Sequence, residues 1–163
     1  SSEQNIIGKE KATEQLADQT LITDQSLEKN EIEALVVEKP SKEQVKALLD
    51  EWLRGKAILL SGKKENNLVT VARKQLVKRV ELERAKDLSR NETQIINASI
   101  SSLKFVSQTS KRIEVQAKIA YSDQRLTSTG EVVSETSVPS LKVTYILGRE
   151  KELWQLVDYI SGN

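Results

Sequence analysis

Residues 91–121 read NETQIINASISSLKFVSQTSKRIEVQAKIAY. Apolar residues alternate at Ile96, Ala98 and Ile100, and the doublet Ser101-Ser102 then shifts the phase to Leu103 and Phe105. A period of two turns one face of an extended strand into a core, and one extra residue predicts a bulge that bends it. After a polar turn at Gln108–Lys111, alternation resumes cleanly through Ile113, Val115, Ala117, Ile119 and Tyr121. Two adjacent strands, the first of them bent, follow from this pattern.

Upstream the period is different. Pro40-Ser41 opens a helix, and Ser41 with Gln44 forms a capping-box pattern. Val45, Leu48, Leu49, Trp52, Leu53, Ala57, Leu59 and Leu60 follow at helical spacing, and Gly62 is a natural left-handed stop. Gly55 inside this run weakens the helix and marks a close approach. A second helix is expected over 65–79, with Leu68, Val71, Ala72 and Leu76 on one face. A third covers Val80–Leu88 or continues the second.

Downstream, Ser122–Gly130 reads as a polar loop, and Val132-Val133 begin a possible further strand. Leu141, Val143, Tyr145 and Leu147 alternate, and Gly148–Lys151 signals a turn. Leu153–Ile160 is apolar in both phases, which predicts a central strand covered on both faces. Helices followed by strands make an α+β domain: N-terminal helices packed on a bent antiparallel sheet of about four strands, cone-like, with its concave face as the expected binding surface.

The leader, residues 1–39, carries four Lys and nine Asp or Glu, a net charge of −5; residues 40–163 carry +6, giving +1 for the 163-residue chain. The leader holds none of the six aromatic residues, and its apolar residues are scattered. It reads as an acidic, flexible linker with a transient helix over Lys9–Ala17, and Leu35-Val36-Val37 either pack on the domain, add an edge strand or stay with the solvated tether. The folded domain is accordingly expected at 40–163. A chain without methionine that starts at Ser1-Ser2 reads as a fragment of a longer protein. It contains no run of about 20 apolar residues.

There are no cysteines and no histidines. Disulfides, thiolate chemistry and the usual zinc, copper and haem ligands are therefore excluded. No calcium-loop spacing and no glycine-rich phosphate loop occur, so neither a cofactor nor a metal is expected. The basic residues of the domain are mixed with acids, which is no nucleic-acid signature. Asp158 with Tyr145 or Tyr121 would make an acid–base pair in an enzyme, against a plain reading of hydrogen-bonded tyrosines. Trp52 and Trp154 are either rim anchors for a partner or core residues. Arg73, Lys74, Lys78, Arg79 and Arg84 either receive a carboxylate tail or form a solvated helix face.

The stretch QVKALLDEWLRGKAILLSG, with Trp52, Lys56, Ala57 and Gly62, resembles the opening of the C-terminal domain of a cyanobacterial and plastid division protein, accumulation and replication of chloroplasts six. Leu76, Leu82, Arg84 and Ala85 loosely match its next helix. INASISSLKFV, RIEVQAKIAYSDQ, SLKVTYILGRE and LWQLVDYI then follow in the family's order, closing on Tyr145, Trp154 and Asp158. The same pattern fits the wider nuclear-transport-factor-two-like superfamily. The family's aromatic pair before the first strand is missing here, where the chain reads DLSRNETQII.

The resemblance implies a non-enzymatic protein-binding domain of a membrane-anchored division factor, on the extracytoplasmic side of the membrane, engaging a partner protein or peptide tail. Trp52, Arg73, Arg79, Arg84, Tyr121, Tyr145 and Trp154 are the partner-binding candidates. Two other roles stay open at this point: a small-molecule-binding or enzymatic cone, and a regulatory appendage of a kinase or chaperone-like protein, with a cytoplasmic location as the alternative.

Overall fold

The computed structural model describes residues 32–162. The helix expected over Lys9–Ala17 lies outside the described residues. The compact unit Ala34–Asn163 contains α1 (Lys42–Leu60), a single-turn α2 (Leu68–Val71), α3 (Lys74–Ser89) and four strands: β1 (Glu92–Gln108), β2 (Arg112–Thr127), β3 (Val132–Glu150) and β4 (Leu153–Ser161). The strands form one antiparallel sheet in the order β1-β2-β3-β4. The α+β layout read from the period change is what the chain adopts.

α1 starts where its cap dictates. The Gln44 N–H donates to Ser41 Oγ at 3.1 Å, and the Ser41 N–H donates to Gln44 Oε1 at 2.9 Å. Two of the N–H groups left over at a helix start are thereby satisfied reciprocally. Gly62 ends the helix region at φ 89°, a left-handed conformation that a Cβ would strain.

Gly55 is the close approach its position suggested. A Cβ there would sit 2.7 Å from Leu68 Cδ2 and 2.9 Å from Leu68 Cγ, so α1 and α2 touch through a missing side chain. Gly55→Ala gains roughly 1 kcal/mol of helix propensity. It loses about 1–3 kcal/mol by overpacking the contact with Leu68. The variant is expected to melt below the parent in a thermal scan; a higher melting temperature would show that Leu68 has room to move.

The helix expected over 65–79 is interrupted. Glu65 caps the short α2 instead, its carboxylate accepting from Asn67 N–H and Leu68 N–H, both at 3.0 Å. Ala72 then leaves the helical region at φ −138°, ψ 150° and bridges in parallel to Leu156. The Arg73 N–H donates to the Leu156 carbonyl at 2.9 Å. Pairing with a strand far along the chain has overridden the local helical pattern, and α3 starts afresh at Lys74.

Ser101-Ser102 does mark a bulge: the β1–β2 register shifts between Ile100 and Ser102. The polar loop expected at Ser122–Gly130 is largely strand. β2 runs to Thr127 and pairs with β3 from Val132 onward. Most of this arm is solvent-exposed or half-exposed, so it needs no apolar stripe, and hydropathy gave no signal for it. β4 is not central. It lies at the sheet edge, covering β3 only between Val143 and Glu150. Its mixed phase accompanies a bulge opposite Ile146/Leu147 and the backbone pairing of Ala72 and Arg73 with Leu156 along its other edge.

The unit begins ahead of the Pro40-Ser41 boundary. The Trp154 N–H donates to the Leu35 carbonyl at 2.9 Å, and its indole Nε1–H donates to the Val37 carbonyl at 2.8 Å. Arg149 Nη2 donates to the Val36 carbonyl at 2.9 Å. The core lies between α1–α3 and the inward face of the sheet. It centres on Trp52, Trp154, Tyr145, Leu49, Leu60, Leu76, Ile113, Ile119, Leu147 and Leu156.

Candidate partner-binding site

The sheet face covered by the helices, expected as the binding surface, is filled rather than open. Trp52, Tyr145 and Trp154 are buried within it, so none of the three presents a surface to a partner. The Trp52 ring meets Tyr159 at 5.8 Å, and Tyr145 meets Tyr159 at 6.2 Å. Lys56 closes this aromatic set. Its ammonium lies 5.2 Å from the Tyr159 ring centre and 5.8 Å from that of Trp52, and Nζ donates to the Tyr159 hydroxyl at 3.2 Å.

A cavity of about 80 Å³ remains between Leu53, Lys56, Ala57, Glu83, Gln94 and Tyr121. Ligand pockets typically run from about 300 Å³ upward, so this space suits ordered water rather than a metabolite. Tyr121 is half-buried there, and its hydroxyl donates to the Asp123 carboxylate. Burial, then the Asp123 hydrogen bond and charge, push the Tyr121 phenol well above its ordinary range. Burial, and then Tyr159, push Tyr145 the same way.

The acid–base pairing considered for Asp158 does not form. Asp158 accepts from the Tyr159 N–H at 2.8 Å and lies 3.9 Å from Arg79 Nη2, while Tyr121 is bonded to Asp123. Two phenols held in their neutral form are poor general bases near neutral pH. Among the described residues no group of three or more Asp or Glu is placed to hold a metal ion.

The basic residues of α3 part company. Arg84 is half-buried and internal: Nη1 donates to the Glu92 carbonyl at 3.0 Å, and Nη2 lies 3.0 Å from where a Gly62 Cβ would be. Its work is to join α3 to the start of β1 and the end of α1. Arg79 is exposed, 62% accessible, and its ion pair with Asp158 at 3.9 Å is loose. Such exposed pairs contribute little.

Arg73 is placed differently. It stands at the N-cap of α3 and gives that helix no side-chain cap. Its guanidinium lies against Gly148, with Nη2 only 2.9 Å from where a Cβ would sit, so the strand glycine makes the space it occupies. The side chain is 27% accessible, and the carboxylate within reach is the exposed Glu150 at 3.9 Å. Arg73 Nε is buried without a hydrogen-bond acceptor. Together with Lys74, Lys78 and Gln155, and with the carboxylates Glu81 and Glu150, it lines an open groove of about 710 Å³. The positive end of the α3 dipole adds to the field there. Of the seven partner-binding candidates, Arg73 alone lines this groove and Arg79 alone is exposed.

A family model described as "ARC6-like, IMS domain" matches residues 45–157, more than half of the chain. The chain belongs to the ARC6-like IMS domain family. The structure titled "Crystal structure of intermembrane space region of chloroplast protein ARC6" is similar in fold, with a TM-score of 0.56 at 12% identity. The match covers 76% of this chain and 97% of that one. No curated protein matches by sequence. The family match includes Trp52, Tyr145 and Trp154, which in this ARC6-like IMS domain are core residues, and Arg73, which lines the groove.

Sequence reasoning missed Lys56 and Tyr159 as partners, and Asp87 with Arg125 altogether. Lys56 stood out in the sequence only as part of the family resemblance. Asp87 and Arg125 lie in segments whose sequence reads as a helix and a polar loop, and no local pattern reports a pairing across the fold.

Proposed function

We propose that this ARC6-like IMS domain is a non-enzymatic protein-binding module of a membrane-anchored division factor. It works on the extracytoplasmic side of the membrane and receives a carboxylate-bearing segment of a partner in the Arg73 groove. Arg73 carries the proposal: a largely buried guanidinium, fixed over Gly148, with an unsatisfied Nε at the rim of an open groove. The Nε makes no hydrogen bond and has only the exposed Glu150 carboxylate at 3.9 Å, a shortfall that a carboxylate bonded to the guanidinium would offset. A planar guanidinium is suited to bidentate recognition of that group. Lys74 and Lys78 line the same groove and add charge, and Arg79 lies along the same helix. Among the described residues no helix is long and apolar enough to cross a membrane.

The test uses peptides ending in a free carboxylate and the same peptides amidated. Binding to the domain is expected to favour the free carboxylate, and Arg73→Gln is expected to weaken it about tenfold or more. Arg79→Gln should weaken it only slightly, because that side chain is already solvated. Equal binding of the amidated peptide, or an Arg73→Gln variant of parental affinity, would remove the groove from the proposal.

A further inference from the structure

The outward face of the sheet, opposite the helices, carries a second basic feature. On β1, β2 and β3 the side chains of Lys104, Lys118 and Lys142 all point away from the core, while Leu103, Ala117 and Val143 beside them point in. Lys118 and Lys142 are direct cross-strand partners, and Lys104 faces Gln116, one diagonal step from Lys118. Directly opposed side chains stand about 5 Å apart at Cβ, and like charges there are destabilising.

Among the described residues nothing relieves this. None of the three ammonium groups has an ion-pair or hydrogen-bond partner among the described residues. The nearby outward carboxylates are engaged elsewhere, Glu114 with Arg112 at 3.5 Å and Asp158 with Arg79 at 3.9 Å. The three lysines line a groove of about 600 Å³ with Gln116, Thr144 and Ile160. Ile160, 61% accessible, gives it an apolar wall.

We propose that this groove is a second interaction surface, one that binds an acidic, extended segment of a partner protein. Carboxylates on alternate residues of an extended chain project to one side about 6.6 Å apart. That spacing matches ammonium groups on neighbouring and diagonal positions of a sheet. The intervening side chains would meet Ile160, Thr144 and Gln116. The surface shares no lining residue with the Arg73 groove and does not depend on it, so one domain would hold two partner segments at separate places.

The probe is a short N-acetylated, C-amidated peptide alternating Glu and Val, titrated into the 163-residue chain and followed by amide NMR shifts. The amide end removes the terminal carboxylate on which the Arg73 groove depends. Shifts are expected at Lys104, Lys118, Lys142 and Ile160. Affinity should fall steeply with added salt and about tenfold or more in Lys118→Gln/Lys142→Gln. Lys142→Glu tests the same point with an internal control for folding. It places an opposite charge across from Lys118, so it should melt no lower than the parent while losing the peptide. Parental affinity in either lysine variant would overturn the proposal. So would loss of the peptide in Arg73→Gln, which would move binding to the α3 groove. Binding of anionic-lipid vesicles as tight as that of the peptide would make the face a membrane surface and overturn it too.

Discussion

Trp154→Ala is expected to destabilise the domain by about 3–5 kcal/mol, the usual cost of removing a large buried aromatic side chain. Trp154 is 0% accessible and does three things at once. Its ring fills the core beneath the β3–β4 edge. Its backbone N–H holds Leu35 and its indole N–H holds Val37, at 2.9 and 2.8 Å. Alanine keeps the first hydrogen bond, loses the second and opens a cavity. A domain of ordinary stability, roughly 5–15 kcal/mol, would be brought close to its folding threshold. Trp154→Phe should lie between, losing about 1 kcal/mol for the hydrogen bond and a further part for the smaller ring. Urea denaturation followed through the fluorescence of Trp52 measures both. A loss under about 1 kcal/mol in the alanine variant would mean that the core collapses around the gap, and that the Val37 contact holds nothing.

Arg125→Ala is expected to be comparably costly and to reverse the response of stability to pH. Asp87 is 2% accessible, near the C-terminal end of α3. Its Oδ1 accepts from Arg125 Nη1 at 2.5 Å and its Oδ2 from Gln94 Nε2 at 2.8 Å. Burial by itself pushes the Asp87 carboxyl up. The hydrogen bonds from Gln94 and Arg125, with the Arg125 and Arg84 charges, outweigh burial and hold it below the usual carboxylate range. A carboxyl depressed by folding stabilises the fold above its unfolded value, about 3.9, and that contribution fades as pH falls through the lower folded value. The parent should therefore be indifferent to this group between pH 5 and 7 and lose stability in stronger acid.

Without Arg125 the carboxylate stays buried with one principal partner, at a cost of about 3–5 kcal/mol. Burial then dominates and the folded value rises above the unfolded one. Stability from this group is then fully present below about pH 4 and lost as pH rises through the raised value. Urea midpoints at pH 7 and pH 5 should show Arg125→Ala gaining stability on acidification while the parent does not. Asp87→Asn in the Arg125→Ala background should recover part of the loss at pH 7. A variant whose stability falls in parallel with the parent on acidification would show that the carboxylate finds water when its partner leaves.

The resemblance drawn from Trp52, Lys56, Ala57 and Gly62, and from the ordered strands after them, leads to the family that residues 45–157 match. It did not tell which aromatic residues face a partner. Trp52, Tyr145 and Trp154 have the chemistry of interface anchors, but in this fold the same rings fill the space between helices and sheet. Composition names a residue type suited to both roles; the number of layers over it decides between them. Among the arginines the sequence offered one basic helix face, and the fold divided it. Arg84 was drawn inward to the Glu92 carbonyl, Arg79 was left in water, and Arg73 was laid on Gly148 beside a groove.

What the sequence determined by itself is whatever rests on neighbours a few residues apart. The Ser41–Gln44 box set the start of α1, Gly62 set its end, and the period of two with its Ser101-Ser102 slip set β1 and its bulge. Each is decided by local sterics and by which positions share a face. What only the tertiary structure decided rests on partners far along the chain. Leu156 broke the helix at Ala72-Arg73, Trp154 captured Leu35–Val37, Arg125 neutralised Asp87, and β4 was left at the sheet edge. Periodicity states that a face must be covered, but the energy of covering it belongs to a pair, and one member of that pair is always elsewhere.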